Sequence, residues 1–219
     1  MKSGNTSGSR MLKNRFRGFL PVVVDLETAG VDPQNNALLE MCVVFIDLNE
    51  QGIYVRGSTH FEHILPFDGA VLDAKSLAFN QIDPYQPLRF AIDEKQALEH
   101  LFNPINKALK KYGCERAVLV GHNAWFDLLF IKEAIKRTGL TLPFHAFTCF
   151  DTATLAGLFY GQTVLAKAVK AAGISFDPNE AHSAIYDAEK TADLFCVMLN
   201  SWEEKEKLLA DKMFKKACL

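Results

Sequence analysis

The sequence predicts an α/β domain with a mixed sheet and helices on its faces. Two patterns predict it. Before residue 66 the chain carries three apolar runs separated by turn residues, and from residue 93 helical periodicity alternates with short apolar runs. Composition agrees, because 219 residues with 49% hydrophobic content suit one globular domain. A chain of this length can bury roughly 70% of its unfolded surface, so it needs neither disulfides nor a structural metal.

Residues 1–14 are rich in Gly, Ser and Asn without periodicity and read as a disordered leader. The ordered domain is expected over 15–212, with a tail at 213–219. Leu20–Leu26 is a buried strand that runs into Asp25-Leu26-Glu27, and Ala29-Gly30 with Asp32-Pro33 marks the turn after it. Leu38–Leu48 and Ile53–Leu65 are the next strands, joined by Asn49-Glu50-Gln51-Gly52 into a meander. Asp93–Tyr112 places Leu98, Leu101, Phe102, Ile105, Ala108 and Leu109 at helical steps, and Gly113 stops it. Pro104 is expected to kink or split that helix. Arg116–Val120 is a fourth strand. Asn123–Thr138 is a helix with Asn123 as its cap, apolar nearly all round from Trp125 to Ile131. A short fifth strand at Phe147–Phe150 precedes helices at Thr152–Phe159, Thr163–Ala172 and about 183–200. The last is expected to resume, after a break, to about residue 212. The ribonuclease H-like fold has this order: three antiparallel strands, then parallel strands separated by helices. The expected architecture is therefore a ribonuclease H-like mixed five-stranded sheet flanked by helices.

Several function classes drop out on composition. No run of about 18 apolar residues exists, so no membrane span is expected. The basic N-terminus has no apolar stretch of a secretory signal. The five cysteines form no C-x-x-C pair and read as reduced thiols in a cytoplasmic protein. No P-loop, zinc spacing or nucleophilic triad is present. A net charge of −2 carries no bulk nucleic-acid signal, yet residues 1–20 hold Lys2, Arg10, Lys13, Arg15 and Arg17 and no acid. A near-neutral total can hide a basic patch opposite an acidic pocket.

The acidic residues carry the chemistry. In Asp25-x-Glu27 the two side chains project to one side of a strand. Burying two carboxylates together costs several kcal/mol or forces one to protonate. A divalent cation with hard oxygen ligands removes the conflict; otherwise one acid faces solvent at the strand end. Asp127 falls in the first turns of the helix after the fourth strand, near the carboxyl edge where open α/β sheets bind ligands. An ordinary first-turn acid favoured by the helix dipole is the alternative. His182 and Asp187 would lie about 140° apart on a helix, so they converge only if His182 sits on the loop before it. A loop His beside metal-bound water suits a general base, while a surface His is the bland reading.

Asp25, Glu27, Asp127, His182 and Asp187 occur in the order and spacing of the DEDD exonuclease superfamily. The sequence resembles its histidine-bearing branch: H-x-x-x-x-D is present, and the tyrosine-bearing branch would need Tyr where Ser183 stands. The likeness is closest to the bacterial ribonuclease T family. Its marks are Arg15-Phe16-Arg17-Gly18-Phe19, Asp25-Leu26-Glu27-Thr28-Ala29-Gly30, Leu77-Ala78-Phe79-Asn80, Phe150-Asp151-Thr152-Ala153, Gly161-Gln162-Thr163-Val164-Leu165 and Ala181-His182-Ser183-Ala184. They cover roughly residues 15–202.

The resemblance implies a 3′-5′ exoribonuclease that uses two Mg²⁺ ions, with Mn²⁺ able to substitute. Asp25, Glu27 and Asp187 would hold the metal carrying the attacking water. Asp25 would bridge to a second metal supported by Asp127, and His182 would take the proton. Phe79, Phe126 and Phe147 are the candidates for stacking on a single-stranded 3′ end, worth ~1–3 kcal/mol per base. A further family aromatic is replaced here by Val31. The family acts as a homodimer whose basic residues hold RNA for the partner's site, and Arg15, Arg17, Lys110 and Arg116 match them. The implied role is tRNA 3′-end turnover and stable RNA 3′ maturation, with single-stranded DNA as a further substrate. Two alternatives stay open. One is a DNA proofreading-type exonuclease or an oligoribonuclease. The other is a non-catalytic nucleic-acid-binding protein on the same fold, whose expected mark is a lost carboxylate.

Overall fold

In the computed structural model, which describes residues 12–181 and 183–217 with side chains through 209, one sheet has five strands. They are β1 (Phe19–Thr28), β2 (Leu38–Leu48), β3 (Tyr54–His63), β4 (Arg116–Gly121) and β5 (Phe144–Asp151), ordered β3-β2-β1-β4-β5. β1–β2 and β2–β3 pair antiparallel, whereas β1–β4 and β4–β5 pair parallel. Fold class, strand number and mixed sheet match the expectation.

Central β1 and β2 are covered on both faces, which explains their near-continuous apolar runs. One face packs on α2 (Glu94–Tyr112) and α3 (Trp125–Thr138). Val22 and Val24 of β1 meet Leu98, Leu101, Ile105, Phe130 and Ile131 there. The other face packs on α6 (Ala184–Ala217), where Val23, Cys42 and Val44 meet Ala184, Ala188, Ala192 and Phe195. Even positions of β1 thus face α2 and α3, and odd positions face α6. That parity aims Asp25 and Glu27 at the start of α6. α1 (Ala74–Asn80) lies against the end of β1 through Leu77, Ala29 and Leu39. α4 (Thr152–Tyr160) and α5 (Leu165–Ala171) form a small core with α6.

Several local expectations are corrected. α2 runs through Pro104 without a break. Its buried stripe of Leu98, Leu101, Phe102 and Ile105 holds both halves on the sheet and offsets the lost hydrogen bond. α6 is continuous where a break was expected near residue 200. Asn200 does not end the helix but bonds Tyr54, accepting its N–H and donating to its carbonyl, both at 2.9 Å. Asn123 is not a helical cap. It sits at φ 66° and donates its N–H to Asp151 at 2.8 Å, and α3 starts at Trp125. α1, only seven residues long, was not anticipated. Leu12 is buried in a helical turn over 12–15, so order begins inside the segment expected to be a leader; α6 likewise reaches into the expected tail. Among the described residues no helix is long and apolar enough to cross a membrane.

Candidate active site

The end of β1 presents Asp25 and Glu27 on the face that α6 covers. Asp187 lies in the first turn of α6, where its N–H donates to the Ser183 carbonyl at 3.0 Å. Ser183 therefore occupies the position just before the helix, where a cap sits. Asp25, Glu27 and Asp187 each offer one oxygen, and the three lie within 4.8 Å of one another. Asp127 comes in from α3, 5% exposed, and its Oδ2 packs so close to Gly121 that a Cβ there would stand 3.2 Å away. Glycine at that position leaves room for the carboxylate.

The electrostatics describe a site short of positive charge. Burial pushes the Asp25 carboxyl well above its ordinary range, and the charges of Asp127, Glu27 and Asp187 push it further. Glu27 is raised to about 8, first by burial, then by Glu40 and Asp187, with the Asn80 amide opposing. Asp127 is also raised by burial, while the N–H groups of Asp127 and Leu26 oppose. An all-oxygen donor set this crowded suits a hard divalent cation such as Mg²⁺ or Mn²⁺, which would favour the ionised form of every member.

Beside Glu27 runs a groove of about 420 Å³ whose walls include Phe79, Phe126, Val31 and Lys75. Phe79 is 65% exposed. Two of the expected aromatics thus border the carboxylates. Phe147 does not border them. It lies on β5 before Cys149, level with the start of β1, and shares a separate groove with Arg15, Arg17 and Phe19. At ~3.3 Å per residue that is roughly 20 Å along the sheet from Glu27. Arg116 opens β4 opposite Phe19, and Lys110 lies in the last turn of α2. The expected basic residues therefore gather at the end of the parallel strands away from the acids. Arg15 is partly answered by Glu203, 3.7 Å away. His182 lies outside the described residues; it precedes α6 in the chain, as the spacing required.

Four neighbours of the site were not anticipated. Glu40 pairs opposite Glu27 across β1–β2, and His63 at 3.1 Å and Arg89 at 3.9 Å face it. Asn80 approaches from the end of α1, and Arg89 from the segment after it. An acid inside an apolar strand was a visible signal for Glu40, but its partner depends on strand register. Asp151 caps α4, accepting the N–H groups of Ala153 and Thr154. His122 bonds Thr163 and Thr152, tying the Gly161–Thr163 turn to the end of β4.

A ribonuclease H-like sheet with Asp25, Glu27, Asp127 and Asp187 meeting at its carboxyl edge defines the DEDD class of metal-dependent exonucleases. Comparison with known proteins narrows it. The RNase_T family model, described as an exonuclease, matches residues 22–195. The chain is 56% identical over 194 residues to ribonuclease T of Marinobacter nauticus, covering 88% of each chain. It is 54% identical to ribonuclease T of Vibrio parahaemolyticus, covering 88% of this chain and 91% of the relative. The chain belongs to the ribonuclease T family, and is a nuclease and hydrolase. Among solved structures, the nuclease domain of a DEDDh-family 3′-exonuclease bound to rAMP superposes with a TM-score of 0.64 at 20% identity. That match covers 83% of this chain and 92% of the other. Exonuclease I of E. coli, in complex with a dT13 oligonucleotide, gives 0.60 at 16% identity over 90% of this chain and 43% of that one. At such identities these likenesses establish the shared fold.

Proposed function

We propose that the chain, as a single domain over residues 15–212, is a cytoplasmic 3′-5′ exoribonuclease. It releases mononucleotides from single-stranded 3′ ends of RNA, in tRNA 3′-end turnover and stable RNA 3′ maturation. The observation that carries this is the convergence of Asp25, Glu27 and Asp187 within 4.8 Å, next to a groove walled by Phe79 and Phe126. An acid cluster that needs cations, beside an exposed Phe79 ring and a half-buried Phe126 that fit unpaired bases, suits a phosphodiester end better than a duplex interior.

Asp25, Glu27 and Asp187 would hold one Mg²⁺, or Mn²⁺ in its place, and Asp127 would support a second that Asp25 shares. When bound, the two ions supply charge neutralisation at the scissile phosphate and an activated water. His182 accepts the proton of the attacking water. Phe79 and Phe126 stack on the terminal bases and set the depth to which the strand enters. Val31 leaves a smaller wall where a ring would add stacking.

The distribution of charge supports a homodimer. Arg15, Arg17, Lys110 and Arg116, with Phe147, lie too far from the carboxylates of their own chain to hold the last nucleotides there. In a dimer they would grip RNA whose 3′ end enters the partner's site. The test uses one oligoribonucleotide labelled at its 5′ or its 3′ end, beside single-stranded DNA of the same sequence. Mononucleotides should leave the 3′ end with Mg²⁺ and not with chelator, faster on RNA. Internal cuts, or release that persists in chelator, would sink the proposal.

A further inference from the structure

β1 and β2 lose register at the carboxylates. Glu27 pairs with Glu40, but the next pair is Thr28 with Leu38, so Leu39 is an extra residue on β2. Such a bulge bends the strand and re-aims side chains beside it. Two side chains from outside the ladder seize carbonyls on either side of it. Asn80 donates from Nδ2 to the Thr28 carbonyl at 3.1 Å, while its Oδ1 accepts the Ile82 N–H at 3.2 Å. Arg89 donates from Nη2 to the Leu39 carbonyl at 2.7 Å and from Nη1 to the Pro84 carbonyl at 3.2 Å. Both are largely buried: Asn80 is 7% exposed, and the Arg89 side chain 11%.

We propose that Asn80 and Arg89 are positioning residues that clamp the β1–β2 bulge from both strands and so hold the Glu27 carboxylate toward Asp25 and Asp187 for a divalent ion. The inference rests on reading the acid cluster as a metal site. Register decides side-chain direction, since a one-residue slip sends a side chain to the other face. A bulge without external partners could migrate along β1, and Glu27 would turn with it. Asn80 fixes the β1 side of the bulge and Arg89 the β2 side, so neither strand can slide alone. Asn80 directly follows Phe79 on α1, so the clamp joins the groove wall to the metal ligand. Outer partners that orient ligating groups typically control metal affinity by 10–100-fold.

The test is Mn²⁺ titration of the full chain by calorimetry, without RNA. Asn80→Ala and Arg89→Met should each weaken binding about tenfold. The milder Asn80→Ser and Arg89→Lys, which keep the size or charge class, should weaken it less and cover the case in which a stronger variant fails to fold. Asp73→Ala is the control. It removes the α1 cap, where Asp73 accepts the Ser76 N–H at 3.0 Å, and should lower Tm while leaving Mn²⁺ affinity as in the parent. Equal Mn²⁺ affinity in the parent and all four clamp variants overturns the inference alone. A loss in Asp73→Ala as large as in Asn80→Ala overturns it too, because general loosening would then explain both. A parent chain that binds no Mn²⁺ overturns the metal-site reading and the clamp together.

Discussion

Stripping divalent ions should destabilise the protein at about pH 8 and scarcely at about pH 5. Burial and the charges of Glu40 and Asp187 raise Glu27 from 4.5 to about 8 without metal. Between those values the folded chain binds a proton that the unfolded chain has lost. Unfolding free energy therefore falls as pH rises there: the contribution is fully present below about 4.5 and gone above about 8. The interval from 4.5 to about 8, at ~1.4 kcal/mol for each step of one in pH, sets a ceiling of about 5 kcal/mol. Asp25 and Asp127 are raised in the same direction by burial and belong to the same cluster, so the Glu27 shift is shared among interacting groups and the ceiling is not reached in full. About 2–5 kcal/mol should remain, or roughly 5–15 °C in Tm for a domain of this size. The assay is thermal unfolding at about pH 5, 6.5 and 8, in chelator and in excess Mg²⁺. Tm in chelator should fall with pH, Mg²⁺ should restore it most at the high end, and Glu27→Gln should flatten the chelator curve. A Tm in chelator that stays level or rises over this range, unaltered by Glu27→Gln, would refute the reasoning.

Three further outcomes follow from the same geometry. Asp25→Asn should abolish Mg²⁺-dependent nucleotide release yet raise the metal-free Tm near pH 8, because one of the repelling charges is gone; full activity would contradict the ligand assignment. His182→Ala should lower kcat by ~10²–10⁴-fold while RNA affinity in chelator stays near the parent value. Near-normal turnover would remove His182 from the proton transfer. Arg15→Ala with Arg17→Ala should weaken RNA binding and make it less salt-dependent, read as a shallower slope of log affinity against log salt; an unchanged slope would place the RNA track elsewhere.

Much of the sheet was legible because its central strands are buried on both faces. The Leu38–Leu48 boundaries are those of β2, and Leu20–Leu26 falls within β1. The seven-residue α1 escaped because it is too short to show two turns of periodicity. Pro104 misled because its local penalty is real, while the packing that overrides it comes from residues distant in sequence. Asn123 misled for a related reason: Asp151, which takes its N–H, is 28 residues away.

The site divides along the same line. Strand parity alone puts Asp25 and Glu27 on one side of β1, and the helical periodicity after Ser183 puts Asp187 in the first turn of α6, because both depend on covalent neighbours and fixed backbone periods. Which helix covers that side, and that Glu40 stands opposite Glu27 while Phe147 lies near the other end of the sheet, depend on strand order and register. Those are set by contacts between residues as little as 13 apart, as for Glu27 and Glu40, and as much as 162, as for Asp25 and Asp187. The bulge at Thr28 is the sharpest case. No local pattern announces it, because it exists only where two strands meet and where Asn80 and Arg89 can reach the carbonyls beside it.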